Sequence, residues 1–403
     1  MTASALPDLS RKLAQVGNEK MAMVVALVDS LPNRGAADAL IAPLRPRLAQ
    51  LPPSRPMTLM RLMFRPLDPV IVAGPRWRPE LPAVPRTALG CLGAAAASGL
   101  GGTGAEVQAM LGGIAPGDLQ GADRAGTLLW PAAAAALDRL PMPPDWSAQT
   151  GLPPGCFAPV RANAAAVLHQ ATRLHQLGAL EDEGDRPARI GAIMADAQGR
   201  SPSGLATVLA VLLAHGQAAS VLGGAGPAGL PALPPAALDA AAGQALDRAD
   251  HLLSIVLPGA ALHAAAAHAA DMAALVDAVE GSPCRPALRY QAGRTRQAAD
   301  QACQDRLAHA VQQDFLPLMH GSAPLDDAAV EGMEGLARDL RRLGRAGRRL
   351  GTPSAYDALL QGIAGEVGAL SPDGLTRMDR LRLAELLVGA QAALRLVPEG
   401  GPG

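Results

Sequence analysis

Leu336–Leu350 reads LARDLRRLGRAGRRL, and its spacing decides the fold class. Arg338, Arg341, Arg342, Arg345, Arg348 and Arg349 recur at three- and four-residue steps, the separation that stacks side chains along one side of an α-helix. Leu336, Leu340, Leu343 and Leu350 fall on the other side. Such a helix buries its leucines. Its arginines then form a solvated face, or present themselves to phosphate groups or an acidic protein surface.

Outward from this helix the composition points the same way. Of 403 residues, 85 are Ala, 49% are hydrophobic and only 2% aromatic. Sheets lean on aromatic and β-branched side chains, whereas Ala and Leu favour helices. The expectation is an all-α protein, an irregular multi-helix bundle or stacked helical array. With 18% charged residues the chain can form a substantial core, which excludes general disorder. A net charge of −1 excludes a surface that is polycationic throughout, though not a local basic patch.

Helix starts are marked by a hydroxyl residue before proline. Ser201-Pro202, Ser282-Pro283, Thr352-Pro353 and Ser371-Pro372 each offer a capping oxygen ahead of a proline at the first helical position. They predict helices near 202–221, 283–319, 353–370 and 372–397, with others at 236–257, 259–280 and 326–350. Upstream, Val160, Ala164, Val167, Leu168, Ala171, Leu174 and Leu177 mark a helix within 158–180, and Leu9 to Leu27 a further one, followed by a segment around 37–51. Ala132–Ala136 and Ala264–Ala267 are small enough to let helix axes approach closely. No repeat of fixed period occurs.

Two Pro/Gly-rich stretches, Pro141–Gly155 and Leu222–Pro235, read as non-helical connectors. They divide the chain into an N-terminal helical region 1–140, a middle region 156–221 and a C-terminal bundle 236–398, the last two being mergeable into one domain. Within the first region, 65–85 is Pro-rich and irregular, and its Val70-Ile71-Val72 is the best strand candidate. Residues 1–80 carry 11 basic and 6 acidic side chains, 81–285 carry 10 and 16, and 286–403 carry 14 of each. This asymmetry lets the N-terminal part dock on the acidic middle or on another subunit.

Cys91, Cys156, Cys284 and Cys303 are too widely spaced for a CxxC pair or a disulfide framework. The first seven residues lack the basic and apolar regions of a secretory signal, and no apolar run reaches spanning length. A cytoplasmic protein without a transmembrane segment is expected. With 33 Arg against two Lys, and abundant Ala, Gly and Pro, a GC-rich bacterial genome is the expected source.

Candidate chemistry is sparse. Ser98–Gly104, SGLGGTG, precedes a helix but follows no strand and lacks the Lys-Ser/Thr of a phosphate loop, so it reads as a turn between helices. Asp247 and His251 share a helix face, but His263 and His268, near Asp250 and Asp271, do not, and no Glu-x-x-His occurs. His169 and His175, six apart, offer no metal spacing. Glu181-Asp182-Glu183 and Asp326-Asp327 read as loop and helix-start acids. No Gly-x-Ser-x-Gly or Cys/His signature is present. No catalytic, cofactor or metal residue is assigned, and no cofactor is expected.

Met57–Arg78 gathers one Trp, one Phe, three Met and four Arg. Trp77 between Arg76 and Arg78 suits an interaction hot spot, or alternatively Phe64, Met60 and Met63 fill a core beneath arginine stems. The primary expectation is a non-enzymatic protein-interaction or regulatory module. Its partner is another protein or a second copy, and Arg76, Trp77, Arg78 and the six ridge arginines are its candidate contacts. The alternatives are a helical enzyme or small-ligand sensor whose site assembles only in the fold, and an accessory protein binding nucleic acid or an anionic membrane surface through its Arg-rich segments.

Overall fold

Alanine and leucine at helical spacing produce helix almost wherever proline and glycine permit it. The computed structural model describes residues 57–114, 118–178, 184–223, 233–255, 257–319, 327–370 and 375–396. The expected helices near 9–27 and 37–51, the acids 181–183, Asp326 and most of the 222–235 connector lie outside them. The fold is all-α, with one pair of two-residue strands among the described residues. By contacts the chain divides into two units, Met1–Leu212 with Ala225–Gln244, and Leu213–Gly224 with Ala245–Gly403.

Among the described residues, the first unit begins with α1 (Leu59–Phe64), whose N-terminus is capped by the Thr58 hydroxyl. Prolines then break the helix. Ile71–Val72 (β1) pairs in parallel with Val84–Pro85 (β2), so the strand candidate is a strand, of minimal length. Next come α2 (Arg86–Ala97), α3 (Gly102–Gly112), α4 (Leu119–Arg139), α5 (Trp146–Thr150), α6 (Phe157–Gly178), α7 (Arg186–Arg200) and α8 (Pro202–Ala214). Of the Gly-rich stretch, residues 98–101 turn from α2 into α3, with Gly101 at φ +56°, and Gly102–Gly104 already belong to α3.

The core of this unit lies where α4 packs along α6. All seven residues of the expected α6 stripe are buried, as are Ala133, Ala134 and Ala136 of α4. Small residues on α4 allow the close approach that the few aromatics then fill. Trp130 is buried, and its indole N–H donates to the Leu62 carbonyl at 2.9 Å. Burying one such side chain contributes about 1.5–3 kcal/mol.

The connector Pro141–Gly155 is not wholly non-helical. Its middle, free of Pro and Gly, forms α5, which ends at Gly151 with φ +73°. Burial of Trp146 edge-on to Phe157, with ring centroids 5.1 Å apart, secures the turn.

The second unit contains α9 (Ala218–Leu222), the end of α10 (Pro235–Ile255), α11 (Leu262–Gly281), α12 (Pro286–Ala310), α13 (Leu316–Met319), α14 (Asp327–Leu350), α15 (Pro353–Ala369), α16 (Arg377–Val388) and α17 (Ala390–Leu396). Helix α14, the arginine-ridge helix, is its hub and packs against α11, α12, α15 and α16. Leu340, Leu343 and Leu350 are buried, and Leu336 is half-buried.

Three boundaries differ from expectation. The helix expected over 202–221 breaks at Gly216, φ +74°, and that over 372–397 breaks at Gly389, φ +91°. Only glycine adopts such angles without strain, so the break is local and steric. Ser282 does not start a helix. Its hydroxyl donates back to the Val279 carbonyl at 2.8 Å and closes α11, and α12 begins at Pro286 instead.

Candidate functional site

The six ridge arginines project from α14 as their spacing requires, but five of them end on neighbouring groups of their own unit. Arg338 pairs with Glu334 at 2.6 Å, which also receives Arg382 of α16 at 2.6 Å. Arg341 donates to the Glu385 carbonyl at 3.1 Å, and Arg342 to Asp339 at 3.2 Å. Arg348 pairs with Asp357 of α15, and Arg349 with Asp277 of α11 at 2.7 Å. Arg345 is exposed and has no partner among the described residues. The ridge therefore ties α14 to three helices around it.

Asp277, like Glu334, accepts from two arginines. Arg296 of α12 reaches it at 2.7 Å and reaches Glu280 at 2.7 Å. Partial burial alone would raise the Asp277 carboxyl, but hydrogen bonds and charge from Arg296 and Arg349 hold it below its ordinary value. Arg341 is pushed below its ordinary value by burial, then by the like charges of Arg345 and Arg348.

In the N-terminal segment, Trp77 is buried and its indole N–H donates to the Ala83 carbonyl at 2.9 Å. Phe64 and Met63 are likewise buried, while Arg76 and Arg78 are exposed on either side of Trp77. Trp77 thus serves packing, and the flanking arginines face solvent.

Asp247 accepts from Gln291, and Asp250 from Thr295 at 2.7 Å, so both aspartates fasten α10 to α12. No group of three or more His, Cys, Asp or Glu able to hold a metal occurs among the described residues.

Two places bring together polar groups that the sequence did not connect. The first is a cleft of about 340 Å³ in the first unit. It is lined by Asp138 at the end of α4, by Arg161, His169 and Gln170 of α6, and by Arg200 and Ser201 at the end of α7. His169 Nε2 lies 2.7 Å from Asp138 Oδ2. Arg161 Nη1 donates to the carbonyls of Leu140 at 2.8 Å and Asp138 at 3.3 Å. Arg200 spends its Nε on both Asp196 oxygens, at 2.9 and 3.1 Å.

Alanine makes the hollow. Ala162, Ala165 and Ala166 form its floor between the longer side chains. The start of α8 seats on that floor because residue 204 is glycine; a Cβ there would lie 2.4 Å from the Ala166 Cβ. Ser201 caps α8 by accepting the Gly204 N–H at 3.1 Å. Arg161-x3-Ala165-x3-His169, polar–small–polar at four-residue steps, was the available sequence signal.

The second place is the outer face of α12. Tyr290 is 74% exposed, and Arg294, one turn on, lines a groove of about 490 Å³ with Asp250, Leu253, Ser254, Gln291 and Ala298. Arg289 and Arg294 are exposed and form no ion pair or side-chain hydrogen bond among the described residues. No family model, curated protein or solved structure matches the chain. No helix among the described residues is long and apolar enough to cross a membrane.

Proposed function

We propose that the protein is a non-enzymatic, cytoplasmic bacterial interaction module that binds an acidic segment of a partner protein on the outer face of α12. The observation that carries this reading is the contrast between arginines of one helix. Arg296 faces inward and holds two carboxylates, whereas Arg289 and Arg294 face outward, beside the exposed Tyr290, and hold none. Tyrosine and arginine dominate binding hot spots because each combines a large contact area with directional hydrogen bonding. Uncompensated guanidinium groups select a partner that brings carboxylates. The hot-spot role that the sequence suggested for Trp77 and its arginines passes, in this reading, to Tyr290 and Arg294.

The test is affinity capture from the native cell with two baits, the wild type and the double variant Tyr290→Ser with Arg294→Glu. Both sites are exposed, so the melting temperature should stay the same. A stoichiometric partner with an acidic contact segment, held by the wild type and lost by the variant, supports the module. A partner retained equally by both baits removes the α12 face from the reading. Capture of a second copy of the chain alone replaces the foreign partner with self-association.

A further inference from the structure

The cleft in the first unit shares no lining residue with the α12 groove, and its chemistry is different. Its walls converge from three helices: Asp138 from α4, Arg161 and His169 from α6, and Arg200 from α7. Each arginine is held by part of its guanidinium, that of Arg161 also lying over the Phe157 ring 5.6 Å from its centroid, and keeps other N–H groups unpaired. Arg161 is fixed through Nη1 on two carbonyls that end α4, and Arg200 through Nε on Asp196. Their remaining N–H groups have no partner among the described residues. Arg161, anchored on backbone, loses little further entropy on binding, and Arg200 is held on its own helix by Asp196.

The charges also sum in one direction. Among the lining residues Arg161 and Arg200 oppose Asp138, an excess of one positive charge. Asp138 is occupied by His169, and Asp196 by Gln170, Arg173 and Arg200. Those hydrogen bonds and charges hold the Asp196 carboxyl below its ordinary value, against the raising effect of its burial. Asp196 has both oxygens engaged and Asp138 uses Oδ2 on His169, while each arginine keeps N–H groups to donate. The start of α8 adds its positive dipole end beside Ser201.

We propose that this cleft binds a small metabolite through a phosphate group. Two guanidinium forks arriving from α6 and α7 match a tetrahedral dianion better than a planar carboxylate, which one fork alone would satisfy. The volume, about 340 Å³, holds the phosphate and a small organic body, at the lower end of small-molecule sites. His169 lines the cleft with its Nε2 held on Asp138. Arg161 and Arg200 are binding residues, and Asp138 and Asp196 position them and His169.

Isothermal titration with inorganic phosphate and phenyl phosphate tests the site on the full chain, with acetate as the carboxylate control. The wild type should give a saturable isotherm with phenyl phosphate, and Arg200→Gln should weaken it about tenfold or more. Arg161→Gln should do the same. Because Arg161 also fastens α4, its melting temperature is measured alongside, and His169→Gln provides a third arm that leaves both arginines in place. Arg124→Gln, exposed on α4 away from the cleft, should bind as the wild type does. No saturable heat with either phosphate probe at about 10 mM overturns the site. Equal affinity in the wild type and Arg200→Gln also overturns it. Acetate competing as well as phosphate overturns the phosphate assignment.

Discussion

Arg349 of α14 places Nη2 2.7 Å from Oδ2 of Asp277 on α11, a residue 72 positions earlier in the chain. Arg296 of α12 takes the other carboxylate oxygen at 2.7 Å. One carboxylate therefore joins three helices, and a charge that the period of α14 places at its surface works as a fastener.

Asp277→Asn should lower the unfolding free energy at pH 7 by about 1–2 kcal/mol, since two partly exposed pairs are lost at once. The sign with pH follows from the depressed carboxyl. Its contribution is present above the unfolded carboxylate pKa, about 3.9, and is lost as pH falls through the lower folded value. Urea unfolding should thus separate wild type from variant at pH 7, and the two curves should converge below about pH 3. A gap that persists at pH 2.5 would mean Asp277 acts through packing.

Gly351→Ala should destabilise the second unit by about 1–3 kcal/mol, the cost of overpacking a rigid contact. A Cβ on residue 351 would lie 1.9 Å from Cγ of Asp300. That carboxylate cannot swing away freely, because it accepts the Tyr356 hydroxyl at 2.7 Å and Gln304 Nε2 at 3.1 Å. In a Tyr356→Phe background the carboxylate loses one tether, so the same glycine change should cost less. A double-mutant cycle by chemical denaturation measures the difference.

What could be read in advance was whatever a single helix encodes. The burial of Leu340 and Leu343 follows from local period alone, and Pro202 and Pro353 begin helices because proline fits the first turn. Ser282 failed because a hydroxyl beside a helix end can close the helix behind it as well as cap the one ahead. Trp77 was ambiguous because aromatic–arginine neighbours look alike in a core and on an interface. The cleft was illegible as a whole: Asp138, His169 and Arg200 come from three helices, and only packing brings them together. The ridge showed its spacing, but its acceptors, Asp277, Asp357 and Glu385, lie on other helices at unrelated positions.

All four cysteines are free and buried. Burial, with Asp300 nearby, pushes the Cys303 thiol up to about 12. Only a thiolate attacks a disulfide reagent. Ellman's reagent at pH 8 should therefore titrate almost no thiol in the native protein and four after denaturation in guanidinium. Rapid native reaction of Cys303 would show that α12 opens far more readily than its packing implies.

The ridge itself separates three kinds of substitution on one helix. Leu343→Asp should cost several kcal/mol, because it buries an unpaired charge where the side chain is now fully enclosed. Arg345→Glu should cost less than about 0.5 kcal/mol, because Arg345 is exposed and has no partner to lose. Arg349→Glu falls between them, since it removes an ion pair and sets a new carboxylate against Asp277. Polyanion binding is then an independent readout on the same proteins. If the ridge also serves an anionic surface, Arg345→Glu should elute from heparin at lower salt than the wild type with an unchanged melting temperature. Equal elution of the two proteins would leave the ridge with its fastening role alone, because Arg345 is the one ridge guanidinium left without a partner among the described residues.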